Sequence, residues 1–275
     1  MSNIKIVLDS SANLTSLDGV DFAFAPLKIE TKERSFVDDE SLDVREMVDF
    51  LYSYKGNSST ACPNAADWLD AFGDAKEIIC FTMTSALSGT HATACTAKRL
   101  YEAKNADRRV CVVDSLSTGP EMVLMAESAR QLIIDGKDFD EITENLRSYN
   151  TQLLFVLQSM KNLANNGRIG KFSATAAGLL GIRAIGKASE RGTLEMLSKA
   201  RGGDKATDAT FEHMTELGYV GGRVRIDHCQ NPDAAEALSQ KIKESFPAAH
   251  VTVGECRGLC SFYAERGGLL IGFES

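Results

Sequence analysis

The segment Thr82-Met83-Thr84-Ser85-Ala86-Leu87-Ser88-Gly89-Thr90-His91 gathers hydroxyls and a glycine where a short apolar run, Glu77-Ile78-Ile79-Cys80-Phe81, gives way to the alanine-rich stretch 91–104. The apolar run reads as a core strand and the alanine-rich stretch as a helix, so these hydroxyls fall at a strand-to-helix junction. A helix start presents unpaired backbone N–H groups and the positive end of the dipole, and hydroxyls placed there suit a carboxylate or a phosphate. An ordinary Ser/Thr cap accounts for the same residues. Two further segments carry comparable chemistry. Thr60-Ala61-Cys62-Pro63-Asn64 sets a hydroxyl just before a proline and a helix start. Asn165-Asn166-Gly167-Arg168-Ile169-Gly170-Lys171 reads as a tight polar turn, in which Arg168 either pairs bidentately with an anion or stands as a solvated surface charge.

These side chains need a scaffold, and the first half of the chain supplies an alternation of strand-like and helix-like segments. Strands are expected at 4–8, 22–29, 77–82 and 110–113, and helices at 43–54, 64–74, 88–104, 119–135 and 138–149. That alternation is the pattern of an α/β domain with a mainly parallel sheet. The first and fourth strands end alike, in Asp9-Ser10-Ser11 and Asp114-Ser115. In open α/β sheets ligands sit beyond the carboxyl ends of the strands, so both polar tips and the Thr84–Thr90 segment are expected around one crevice. From about 152 the texture changes. Strand-like runs at 153–157, 193–197, 223–226, 250–253 and 269–273 alternate with helices near 158–165, 204–217 and 232–246. The expectation is a two-domain α/β chain, 1–152 and 153–275, the second domain having more strands per helix and a mixed sheet. The small-residue run Ser173–Ile182 suits either a close-packed helix or a wall that leaves room for a slim apolar ligand.

Composition excludes several functions. The chain has 275 residues, 44% of them hydrophobic and 25% charged, and a formal net charge of -8. A balance that acidic argues against general affinity for nucleic acid or anionic membrane surfaces. No apolar run approaches the roughly 20 residues of a membrane span, and Met1-Ser2-Asn3-Ile4-Lys5 leads into a strand rather than a signal peptide, so a cytoplasmic chain without stable membrane insertion is expected. Seven scattered cysteines suit reduced core thiols, and no zinc spacing accompanies them, so no metal is expected. G-x-S-x-G, G-x-G-x-x-G and H-E-x-x-H motifs are absent. Gly181-Ile182-Arg183-Ala184-Ile185-Gly186-Lys187-Ala188 has P-loop spacing, but alanine stands where the magnesium-binding hydroxyl belongs.

Taken in order, the segments Asp9-Ser10-Ser11-Ala12-Asn13-Leu14, Pro26-Leu27-Lys28-Ile29, Thr60-Ala61-Cys62-Pro63, Leu87-Ser88-Gly89-Thr90, Val113-Asp114-Ser115 and Asn166-Gly167-Arg168-Ile169 resemble the DegV family of bacterial fatty-acid-binding proteins across essentially the whole chain. The resemblance implies a Rossmann-like N-terminal domain, a C-terminal α/β domain, and a long-chain fatty acid held non-covalently in an apolar tunnel. It implies that Thr60 and Ser88 hold the carboxylate beside the Gly89 backbone, and that Arg168 contacts the carboxylate region or a partner. It implies a carrier rather than an enzyme, with no cofactor, presenting its lipid to a separate ATP-dependent fatty acid kinase that makes the acyl phosphate. One segment departs from the family. In place of a G-x-H-T-G-P-G-like stretch the chain reads Gly258-Leu259-Cys260-Ser261-Phe262-Tyr263-Ala264-Glu265-Arg266-Gly267-Gly268, with Tyr263 or Glu265 where the histidine would stand. The competing reading is a small-molecule kinase or phosphotransferase related to dihydroxyacetone kinases, whose fold is similar; it requires a nucleotide site and ATP consumption by the isolated chain.

Overall fold

The structure, a computed structural model, describes residues 4–146, 150–169 and 181–275. The first part runs β1 (Ile4–Asp9), β2 (Asp21–Ala25), β3 (Lys28–Thr31), β4 (Ser35–Val37), α1 (Val44–Ser53), β5 (Ser58–Ala61), α2 (Ala65–Phe72), β6 (Glu77–Thr82), α3 (Thr90–Lys104), β7 (Arg109–Asp114), α4 (Pro120–Ile134) and α5 (Phe139–Asn145). Strands β2-β1-β6-β7 form a sheet in that order, and every neighbouring pair is parallel. Ile6, Val7 and Leu8 of β1 and Ile78 to Phe81 of β6 are unbroken apolar runs because both faces of this sheet are covered. Trp68, Phe72, Ala94 and Tyr101 of α2 and α3 pack on one face. Met122, Ala126, Ala129 and Ile142 of α4 and α5 pack on the other.

The single strand expected over 22–29 is two strands. Pro26 has no N–H to continue a ladder, and the chain turns there: the Leu27 N–H donates to Ser10 Oγ at 3.0 Å and the Leu27 carbonyl accepts from Asp38 N at 2.9 Å. Beyond the turn β3 joins a small antiparallel sheet, β4-β3-β5. Thr60 therefore sits in β5 opposite Ile29, ahead of the turn into α2. That helix is capped instead by Asn64 in a reciprocal box with Asp67.

The second part runs β8 (Thr151–Leu157), α6 (Lys161–Asn165), β9 (Ile182–Ala188), β10 (Leu194–Arg201), α7 (Gly203–Glu216), β11 (Arg223–His228), α8 (Pro232–Ser245), β12 (His250–Glu255), α9 (Gly258–Ala264) and β13 (Leu269–Glu274). A six-stranded sheet has the order β10-β9-β8-β13-β11-β12, in which only β11 and β12 are parallel. Parallel and mixed sheets both match the α/β expectation. Helices α7 and α8 cover one face of the mixed sheet through Ala206, Met214, Ala235, Leu238 and Ile242. Helix α4 lies against its other side, over β8, β13 and β11. A Cβ at Gly272 of β13 would stand 2.5 Å from Glu121 N, so strand and helix backbones touch there. Helix α4 is thus wedged between the two large sheets, which is why it is apolar on more than one side.

The pseudo P-loop 181–188 is mostly β9, an extended strand that forms no phosphate cradle. The helix expected from 158 starts at Lys161. Helix α9 was not anticipated: almost all of it is buried, so no polar face marks it as a helix. Of the small-residue run, Ser173 to Leu180 lies outside the described residues, as does the end of the expected 138–149 helix. Among the described residues no helix is long and apolar enough to cross a membrane.

Candidate functional site

Side chains two apart on a strand share a face, and Leu153, Phe155 and Leu157 of β8 line one side of a cavity with Leu270 of β13, whose register partner is Phe155. Leu259 and Ala264 of α9, Leu163 of α6, Leu194 of β10, and Leu27, Met83 and Leu87 from the parallel-sheet side complete the apolar wall. The cavity is partly open to solvent, and its wall is overwhelmingly apolar with a few polar groups, the make-up of a small-molecule site.

Polar side chains converge at one end. Thr60, Ser88, Arg168 and Tyr263 all line this cavity, so four residues spread over two hundred positions of sequence come together. Thr60 Oγ1 lies 2.8 Å from Tyr263 Oη. Ser88 Oγ lies 2.7 Å from Thr90 Oγ1 and accepts from Thr90 N at 3.3 Å. Arg168 Nε donates to the Leu87 carbonyl at 3.2 Å and Nη1 to the Asn166 carbonyl at 2.5 Å. The loop that presents Ser88 thereby holds the guanidinium, which is half-buried rather than a free surface charge. Two of its five N–H groups serve those carbonyls. Gly89 is the N-cap of α3 and supplies no side-chain cap, so the hydroxyl work at this helix start falls to Ser88 and Thr90. Burial pushes the Tyr263 phenol upward, while the Thr60 hydrogen bond and the Arg168 charge draw it back. At neutral pH Tyr263 therefore keeps a proton to donate.

The strand-tip aspartates act behind the site. Neither Asp9 nor Asp114 lines the cavity; they suspend the loop that does. Met83 N donates to Asp9 Oδ2 at 2.6 Å and Ser85 N to Asp114 Oδ1 at 3.0 Å. Because β6 lies between β1 and β7, its exit loop is gripped from both neighbouring strands. Burial, aided by the nearby Asp38 charge, pushes the Asp9 carboxyl up to about 6 against the pull of its Ser11 and Met83 hydrogen bonds. Asp38, which the sequence reading missed, fixes α9: its two oxygens accept from Gly258 N at 2.8 Å and Leu259 N at 2.9 Å. An acid at a helix N-terminus is favoured by the dipole. Asn13 joins the two parts, donating to Asp227 Oδ2 at 2.8 Å and accepting from Arg257 N at 2.9 Å. Glu265, the other candidate for the missing histidine's place, accepts from Asn162 N at 3.0 Å and serves the α6–α9 junction. Among the described residues no His, Cys, Asp or Glu cluster is arranged to hold a metal ion.

An apolar cavity closed at one end by hydroxyls and a guanidinium suits an amphiphile with an acidic head. The family sequence model described as "Uncharacterised protein, DegV family" matches residues 3–274. The chain belongs to the DegV family. It is 42% identical to a DegV domain-containing protein of Streptococcus pneumoniae, the match covering 98% of each chain. A DegV family protein from Eubacterium eligens, solved loaded with heptadecanoic acid, superposes with a TM-score of 0.97 at 41% identity over 99% of both chains. The Streptococcus pneumoniae Fatty Acid Kinase (Fak) B3 protein, solved loaded with linoleic acid, superposes with a TM-score of 0.96 at 42% identity over 98% of this chain and 99% of that one.

Proposed function

We propose that this DegV chain binds one long-chain fatty acid non-covalently, with the carboxylate at Thr60 and Ser88, the Gly89 backbone beside it, and Arg168 and Tyr263 completing the head-group end. The observation that carries the reading is the junction of an apolar cavity with those converging donors. Two DegV relatives above 40% identity were solved holding fatty acids of different shape, which supports the same ligand class here. Burial of the tail supplies most of the affinity, at about 0.8 kcal/mol per methylene, and the polar end fixes direction. In this reading residues 1–152 contribute the carboxylate-binding turns and 153–275 cover the acyl chain.

The chain carries and presents its lipid, and a separate fatty acid kinase forms the acyl phosphate. The kinship to the Fak B3 protein supports that partner. Free thiols at all seven cysteines suit work in the reducing cytoplasm. Denaturing extraction of bacterially expressed protein followed by mass spectrometry is expected to recover close to one fatty acid per chain. Extracts with no acyl species, and no uptake of added fatty acid by the purified chain, would overturn the assignment.

A further inference from the structure

Leu153 is 1% exposed and borders two chambers, the acyl cavity and a second pocket beside the N-terminus of α4. The second chamber is partly open to solvent and more polar than the first: Glu121, Thr151, Gln152 and Lys187 line it beside Leu116, Met125 and Leu217. Glu121 is itself buried and its two oxygens are engaged, one by the Thr151 hydroxyl at 2.8 Å and the other by Ser117 Oγ. An alkyl carbon pushed in there would take water from polar groups and give nothing back.

The direction of the cavity follows from the fold. Asn162 Nδ2 donates to the Phe262 carbonyl at 2.8 Å, tying α6 and the Tyr263 end of α9 to the exit of β8. The polar end is therefore beside Leu157, and Leu153 lies four residues back along the strand, roughly 13 Å at ~3.3 Å per residue. Leu153 stands beside its register partner Gly272, where β13 is pressed against the α4 backbone.

We propose that Leu153 is the floor of the acyl cavity and sets the longest chain the protein accepts, with the polar chamber behind it penalising any carbon that passes. The proposal rests on the fatty-acid reading above and adds to it a residue that selects among ligands. The test is titration of lipid-stripped wild type, Leu153→Ala and Leu153→Phe with a homologous series of saturated straight-chain fatty acids. For wild type, affinity is expected to rise about fourfold per added methylene, the equivalent of about 0.8 kcal/mol, until the methyl end meets Leu153, and then to stop rising. Leu153→Ala moves that break to longer chains and Leu153→Phe to shorter ones. Breaks at the same length in all three proteins, or a Leu153→Ala loss that is equal at every length, overturns the floor while leaving lipid binding intact. Absence of binding by wild type at every length overturns the lipid reading and the floor with it.

Discussion

Thr60 and Tyr263 share a hydrogen bond at the polar end of the cavity, so in the proposed binding mode the carboxylate would meet hydroxyls already aligned. A hydrogen bond to a charged group is worth about 1.5–3 kcal/mol. Thr60→Ala and Ser88→Ala are each expected to raise the Kd for a long-chain fatty acid roughly tenfold or more, with little effect on a fatty alcohol of the same length; calorimetric titration checks this, and unchanged affinity for the acid removes the residue from the head-group site. The Asp9 carboxyl makes a separate prediction about stability. Its ordinary value of 3.8 is raised to about 6 in the fold, so the protonated form is the one folding favours. Its contribution is complete below the ordinary value and is lost as pH rises through about 6. The shift corresponds to a loss on the order of 3 kcal/mol between pH 4 and 7. Asp9→Asn cannot titrate there, so its urea midpoint should fall less than that of wild type across this window; parallel pH profiles would refute the assignment. Thr60, Ser88 and Arg168, which the DegV resemblance singled out, all line the cavity. Tyr263 was legible only through the segment that departs from the family, which also offered Glu265. Asp38 was not legible: in Asp38-Asp39-Glu40 nothing local distinguishes the buried acid from its solvated neighbours.

Helix α9 shows how one short element can carry much of a site. It supplies Leu259, Cys260, Tyr263 and Ala264 to the cavity, and its start is jammed against the β4–α1 connection. A Cβ at Gly258 would stand 2.7 Å from both Asp38 Cγ and Leu42 Cδ2. Gly258→Ala is therefore expected to cost about 1–3 kcal/mol and to weaken fatty-acid binding by displacing the helix. Gly203, at the start of α7, has open space around its Cβ position. Gly203→Ala should be stabilising by roughly 0.4–1 kcal/mol and leave binding as it is; urea denaturation and lipid titration of the pair test both statements, and equal stabilities would contradict the packing argument. The long strands β1, β6, β8 and β13 were readable because burial on both faces leaves an apolar run. Strands β4 and β5 were not, since a short polar strand exists only through partners distant in sequence, and that pairing leaves no local period.

At the scale of the whole molecule, α4 belongs to both large sheets and Asn13 bridges them through Asp227 and Arg257. Such sharing predicts one cooperative unfolding transition, and ligand bound only by the folded state should shift it as a unit. At a free ligand concentration of a hundred times Kd the gain is about 2.7 kcal/mol. Denaturant curves of stripped and loaded protein, followed by Trp68 fluorescence and by far-ultraviolet circular dichroism, should coincide with each other and move together on loading. Two resolved transitions, or a loaded curve superposed on the stripped one, would rule this out. The alternation of strands and helices made the α/β class readable, whereas the order of strands within the mixed sheet depends on long-range pairing that composition does not encode.

That order has one more consequence. Strand β13 comes last in sequence among the strands yet lies between β8 and β11, as an inner member of the mixed sheet. During synthesis β8 and β11 must wait with unsatisfied edges until residues 269–274 clear the ribosome tunnel and insert between them. The cavity wall, which includes Leu270, is therefore closed only once β13 has taken its place between them.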